Sequence, residues 1–86
     1  MKVWGGLITN YKRASSETHG QVKTIIAAAN QREAAKIVGC SLYEFRGWWT
    51  ETGNVQEIKI AMSKPGVMFQ ASSSMGNDFE PQDPQP

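Results

Sequence analysis

The chain opens on a run of strand formers. Val3, Trp4, Leu7 and Ile8 lie within Lys2–Thr9 and predict a first strand, interrupted by Gly5-Gly6. A glycine inside a strand marks a bulge or a place where another group, a ligand or a second backbone, comes close, and a plain bulge is the expected reading here. The polar stretch Asn10–Gln21 reads as a loop, and Val22–Ala27, apolar and β-branched at its front, as a second strand. Consecutive elements tend to be neighbours, so the two strands are expected to pair as an antiparallel hairpin, although the loop is long for one.

Three helix starts follow with one grammar. Asn30 with Glu33, Ser41 with Glu44, and Asn54 with Glu57 all have capping-box spacing. The first side chain takes an orphan N–H of the opening turn, and the Glu reaches back to the cap. Gly39 and Gly53 sit where the first two helices should stop, because glycine accepts the left-handed conformation that closes a helix end. These signals predict helices over 31–38, 42–51 and 55–63. Val55, Ile58 and Met62 recur at helical spacing and predict the buried stripe of the third helix, with Ile60 off it. Ser63–Gly66 reads as a turn, and Val67–Ala71 as a third strand that joins the hairpin. The expected fold class is therefore α+β, in the order β-β-α-α-α-β, within a small domain over residues 1–72. Residues 73–86 are polar, acidic and proline-rich and are expected to be a disordered tail. No internal repeat is visible.

At 86 residues the chain suits one domain that buries only about 60% of its unfolded surface. The lone Cys40 excludes an internal disulfide and a cysteine-rich metal site, and its apolar neighbours suit a small buried hydrophobe. No stretch reads as a signal peptide or a membrane span, so a cytoplasmic protein is expected, here in a host cell, with no membrane partner. All nine Lys and Arg residues precede position 65; with five acids in the first 72 residues, that body carries +4, and the three acids beyond it give the tail −3. A mildly positive body tolerates an anionic partner but falls short of the basic stripe of a dedicated nucleic-acid binder.

The segment Asn30–Trp49 outlines a helix-turn-helix. Ala35 is the small residue where the helices cross, Gly39 the turn glycine, and Ser41 the second cap. Ala34, Val38, Cys40, Phe45 and Trp48 fall at interior positions. The positions expected to face outward are Leu42, Tyr43, Arg46, Gly47, Trp49 and Thr50. A DNA reader presents Arg, Lys, Asn or Gln there, and phosphate contacts dominate its affinity. Only Arg46 is cationic, against Glu44 and Glu51, unless Lys12, Arg13 and Lys23 compensate. Duplex DNA is thus disfavoured. Four rings, Tyr43, Phe45, Trp48 and Trp49, crowd seven residues. Phe45 and Trp48 are the expected core pair, with Tyr43 and Trp49 free for a partner protein or a nucleobase. The plainer alternative packs all of them under the hairpin or in a homodimer contact. Thr50–Asn54 places hydroxyls and an amide before a helix start, which suits a phosphate or simply a well-capped connector.

No catalytic set assembles. His19 stands in a polar loop with Glu17 as its one nearby acid, no metal-ligand spacing occurs, and "WGGL" is too short for a nucleotide-binding glycine loop. Neither enzyme activity nor a cofactor is expected.

The stretches "MKVWGG", "KTIIAAANQREAAKIVGCSLYEFRGWWTETGN" and "KPGVMF" resemble small phage proteins, among them the Thoeris anti-defence sponge family, over about residues 1–70. The resemblance implies a non-enzymatic homo-oligomer that sequesters cyclic ADP-ribose signals at protomer interfaces. It implies an aromatic ring on the adenine with amide and basic groups around the ribose and phosphates. Phe45 and Asn54 match that pair, and Arg46 is the anion partner. The basic residues near the family's C-terminus have no counterpart after Lys64. The expected ligand-binding set is Tyr43, Phe45, Arg46, Trp49, Thr52 and Asn54, for a small anionic nucleotide. The alternatives are a DNA-binding regulator and an inhibitor that grips a host protein through an aromatic patch.

Overall fold

Val3, Trp4, Leu7 and Ile8 do form a strand, β1 (Lys2–Thr9), and it pairs antiparallel with β2 (Gln21–Ala28). The structure, a computed structural model, describes residues 1–9, 21–71 and 78–82. The expected loop over 10–20 and the expected disorder of 73–77 and 83–86 lie outside the described residues. Pairing runs without offset from Lys2↔Ala28 to Thr9↔Gln21, so Gly5-Gly6 makes no bulge. The other reading of the glycines holds. A Cβ on Gly6 would lie 2.6 Å from Cδ2 of Trp49, so the indole rests directly on the glycine.

The three helices are α1 (Gln31–Val38), α2 (Leu42–Trp48) and α3 (Val55–Ser63). Each cap works as its residue type allows: Asn30 Oδ1 accepts from Glu33 N–H, Ser41 Oγ from Glu44 N–H, and Asn54 Oδ1 from Gln56 and Glu57 N–H. Gly39, at φ 85°, closes α1, and the N–H groups of Gly39 and Cys40 both donate to Ala35 O. The two helices α1 and α2 are thus joined by a short turn over residues 39–41.

Two expectations need correction. The second helix ends at Trp48 rather than 51, because Trp49 turns extended (φ −111°, ψ 141°) and Thr50–Glu51 become a short strand, β3, on the free edge of β1. Gly47 is a poor helix former, and Trp and Thr favour extended chain, so a docking edge can outbid a further turn of helix. The acidic tail also contributes. Beyond β4 (Met68–Gln70), which pairs with β2, Glu80–Gln82 form β5 against β4. Pro81 fits because β5 is an edge strand, where a missing N–H costs no ladder bond. The sheet order is β3-β1-β2-β4-β5, antiparallel throughout, which adds two strands to the expected three.

Helices cover both faces of this sheet. Trp4, Ile26, Ala28 and Met68 meet Ala34, Ala35, Phe45 and Trp49 on the α1–α2 side. Val3, Ile25, Ala27 and Phe69 meet Ala61 and the partly buried Ile58 and Ile60 on the α3 side. That explains the unbroken apolar run in β2, since a strand buried on both faces does not alternate. Ala27 and Ala28 keep each helix close, facing Ala61 on one side and Ala34 and Ala35 on the other. The expected stripe of α3 holds only at Ile58, which packs partly buried against the core: Val55 and Met62 are exposed, and the helix buries Glu57 and Ala61.

Phe45, fully buried, sits between two tryptophans. It meets Trp4 edge-on (6.0 Å, 74°) and stacks on Trp49 (5.1 Å, 11°). Such ring pairs contribute about 0.5–1.5 kcal/mol each beyond the area they bury. Gly6→Ala forces a methyl into the Trp49 ring and is expected to cost roughly 1–3 kcal/mol in urea unfolding. Gly5→Ala, whose Cβ meets nothing nearer than 3.7 Å, serves as the control and should shift the midpoint far less. Equal effects at the two positions would show that Trp49 is not seated on Gly6.

Candidate functional site

Side chains alternate along β1 and β2, so Gly5, Leu7, Gln21 and Lys23 share the face that α3 covers. At this end of the sheet they form the floor of an open groove of about 600 Å³. Its walls are Trp48, Thr50, Thr52 and Glu57. At Gly5 the floor lacks a side chain, which lets a flat group approach the backbone closely, while the missing Cβ of Gly6 points to the opposite face and Trp49.

Trp48 reaches the groove because the chain changes period at that residue. Neighbours in a helix diverge by about 100°, whereas neighbours in extended chain point to opposite sides. With the helix over at Trp48, Trp49 turns to the α1–α2 core while Trp48 faces the groove, 81% exposed. The two tryptophans thus exchange their expected places.

A polar network crosses the groove wall. Lys23 Nζ donates to Glu57 Oε2 at 2.7 Å, and Thr52 Oγ1 donates to Glu57 Oε1 at 3.0 Å. The carboxylate is nearly buried while Lys23 stays partly exposed, so the ammonium is held at the groove surface by an acid beneath it. Glu57 does not return to its cap as the capping box predicts. The cap's own N–H, on Asn54, donates to Thr52 Oγ1 instead (3.2 Å), and Thr52 N–H donates to Val3 O (2.9 Å). The "TETGN" segment is consequently a connector tied at both ends.

Of the six residues expected to bind a ligand, Thr52 alone lines this groove. Phe45 and Trp49 are corrected to core residues: they are buried and stacked on each other, and Trp49 borders only the smaller cavity beside Cys40. Asn54 has its side-chain oxygen engaged by two backbone amides. Tyr43 is exposed but is not part of the groove wall. Arg46 donates from Nε to Gln31 Oε1 at 3.3 Å and lines a different cavity. Trp48, Lys23, Gln21 and Thr50 line the groove but stood outside the expected binding set, although Thr50 was read as part of a polar connector and Lys23 as a compensating cation. What joins them is the register of the first two strands and the end of the second helix, which the sequence does not show.

Cys40 lies in a smaller cavity of about 200 Å³ with Ile8, Val38 and Glu44. Burial, and then the neighbouring Glu44 carboxylate, push its thiol pKa up. Among the described residues no group of three or more His, Cys, Asp or Glu side chains could hold a metal ion, and no helix is long and apolar enough to cross a membrane.

Comparison with known proteins gives no matching family model, no matching curated protein and no matching solved structure. The groove's chemistry is accordingly read from its own residues.

Two outcomes are expected. Lys23→Met leaves a nearly buried carboxylate with one donor fewer and should cost about 2 kcal/mol, while Glu57→Gln, which keeps an acceptor for Thr52, should cost less; chemical denaturation measures both. Cys40 should react with iodoacetamide more slowly in the folded protein than in the urea-unfolded chain at mildly alkaline pH, because less of it is thiolate. Equal rates would show that burial does not hold the thiol protonated.

Proposed function

We propose that this chain is a non-enzymatic binding protein that sequesters a small nucleotide-derived signal of the cyclic ADP-ribose type, as the resemblance to phage counter-defence sponges implies. The observation that carries this reading is the exposed indole of Trp48 on the wall of a groove floored by glycine backbone. Every nucleobase has a flat face that an indole can stack on, worth about 1–3 kcal/mol per base. Lys23 supplies a cation for a phosphate, and Gln21 and Thr50 supply an amide and a hydroxyl for a ribose. The stacking ring is then Trp48 and not Phe45, and Thr52, whose hydroxyl is held between Glu57 and Asn54 N–H, lines the wall that Asn54 does not reach. Exposed Leu7 beside Trp48 extends the apolar rim, which suits a groove completed by a second copy of the chain.

A second reading has its own support. Tyr43 and Trp48 are 88% and 81% exposed on one seven-residue helix. Large rings left in water on so small a helix suit an interface with a host protein.

Isothermal titration with cyclic ADP-ribose isomers and cyclic oligonucleotides tests the first reading. Saturable heat is expected with at least one of them, and Trp48→Ala should weaken binding by roughly tenfold or more. No heat with any ligand, on protein shown to be folded, removes the sponge reading. In that case capture of one host protein by the wild type, lost in both Tyr43→Ala and Trp48→Ala, supports the interface reading.

A further inference from the structure

On the other side of the sheet from the groove, the α1–α2 corner holds a cavity of about 300 Å³ lined by Asn30, Gln31, Arg32, Leu42 and Arg46. Two guanidiniums therefore line one small space. Among the described residues, neither has a carboxylate partner. Like charges placed together repel, and surface arginines commonly relieve this with nearby acids, so the arrangement is short of negative charge.

The amide side chains on the rim sharpen the chemistry. Asn30 Oδ1 accepts from the backbone N–H of Glu33 at 2.9 Å, and Gln31 Oε1 accepts from Arg46 Nε at 3.3 Å. A backbone amide and a guanidinium can only donate, so both partners identify the side-chain oxygens and engage them. Each amide keeps its NH2 group for a ligand. The rim thus offers donors: two guanidiniums and two amide NH2 groups, with Leu42 as the apolar element. A site of that kind suits an oxyanion and repels a cation. The bond from Arg46 Nε to Gln31 also steadies the guanidinium while leaving its two terminal nitrogens for bidentate contact with two oxygens of one anion.

We propose that this cavity binds the phosphoryl group of a small phosphate-bearing molecule, as a site separate from the Trp48 groove. It uses Arg46, which the resemblance places beside the stacked ring in one site, but here Arg46 lies away from the ring of the groove, on the helical side of the molecule. Its chemistry needs nothing from Trp48 or Lys23.

The test is NMR titration of the full 15N-labelled chain with inorganic phosphate, pyrophosphate and adenosine monophosphate, at ionic strength held constant with sodium chloride. The expected result is saturable shifts at the amides of Gln31 and Arg32 and at Arg46 Nε. Arg46→Gln and Arg32→Gln should each weaken the affinity by about tenfold, the usual scale for losing one charge-assisted contact. Arg46→Lys should also weaken it, since a lysine keeps the charge but loses the planar fork. Equal affinity for phosphate and the nucleotide identifies the free anion as sufficient, and tighter nucleotide binding identifies a phosphate ester; both support the site. Shifts that stay linear and match those of chloride, that saturate at Lys23 and Thr52 instead, or that persist at wild-type affinity in Arg46→Gln overturn it.

Discussion

The Trp49 indole rests on the bare backbone of Gly6, and much of the molecule follows from that contact. Only a strand position without a Cβ lets the ring lie this close. Seated there, Trp49 stacks on Phe45, which meets Trp4 from β1, so one aromatic row joins α2 to the sheet. The same contact draws the backbone beyond Trp48 onto the edge of β1, where Thr50 and Glu51 pair with Gly5 and Trp4. The helix stops there because its next residue is worth more buried on the sheet than continuing the coil. Trp48 is turned to the opposite face as a consequence, and the groove acquires its exposed ring.

A second constraint acts from α3. A buried carboxylate is costly unless it is paired and hydrogen-bonded, and Glu57 meets that condition with one donor on each oxygen. Lys23 reaches it from β2 and Thr52 from the connector, so the pair fixes how α3 lies over the sheet. It also sets the groove's electrostatics. The ammonium at the surface is backed by an acid, which makes the groove close to neutral rather than strongly attractive to anions. A ligand there depends on ring contact and hydrogen bonds more than on charge. The arginines Arg32 and Arg46, which have no carboxylate partner among the described residues, lie in the α1–α2 layer, away from the groove.

That separation bears on the resemblance to the sponge family. The sequence places a ring, an amide and an arginine within ten residues, as one site would need. In the folded chain the ring at that position, Phe45, is core, the amide of Asn54 caps a helix, and Arg46 turns to α1. Within one chain they do not converge. A nucleotide site of this kind must therefore use Trp48 as its ring, or draw its remaining contacts from another copy.

Local chemistry was legible in the letters wherever one residue type has few alternatives. Asn30, Ser41 and Asn54 announced three helix starts, Gly39 announced the end of the first, and the β-branched runs announced the hairpin, because caps, left-handed turns and strand formers act within a few residues of themselves. Gly5-Gly6 announced either a bulge or a close approach, with the bulge as the plainer reading, and the register excludes the bulge. The rest depended on partners far along the chain. Whether Trp48 or Trp49 is buried turns on where a helix gives way to a strand, and the edge of β1, more than forty residues earlier, decides that. Glu57 looked like a capping residue until Lys23, 34 positions away, drew it inward, and Glu80–Gln82 became a strand only because β4 offered an open edge. Period and propensity report what a segment prefers alone; burial and strand pairing are settled by whichever distant surface lowers the free energy most, and that surface exists only once the chain has folded.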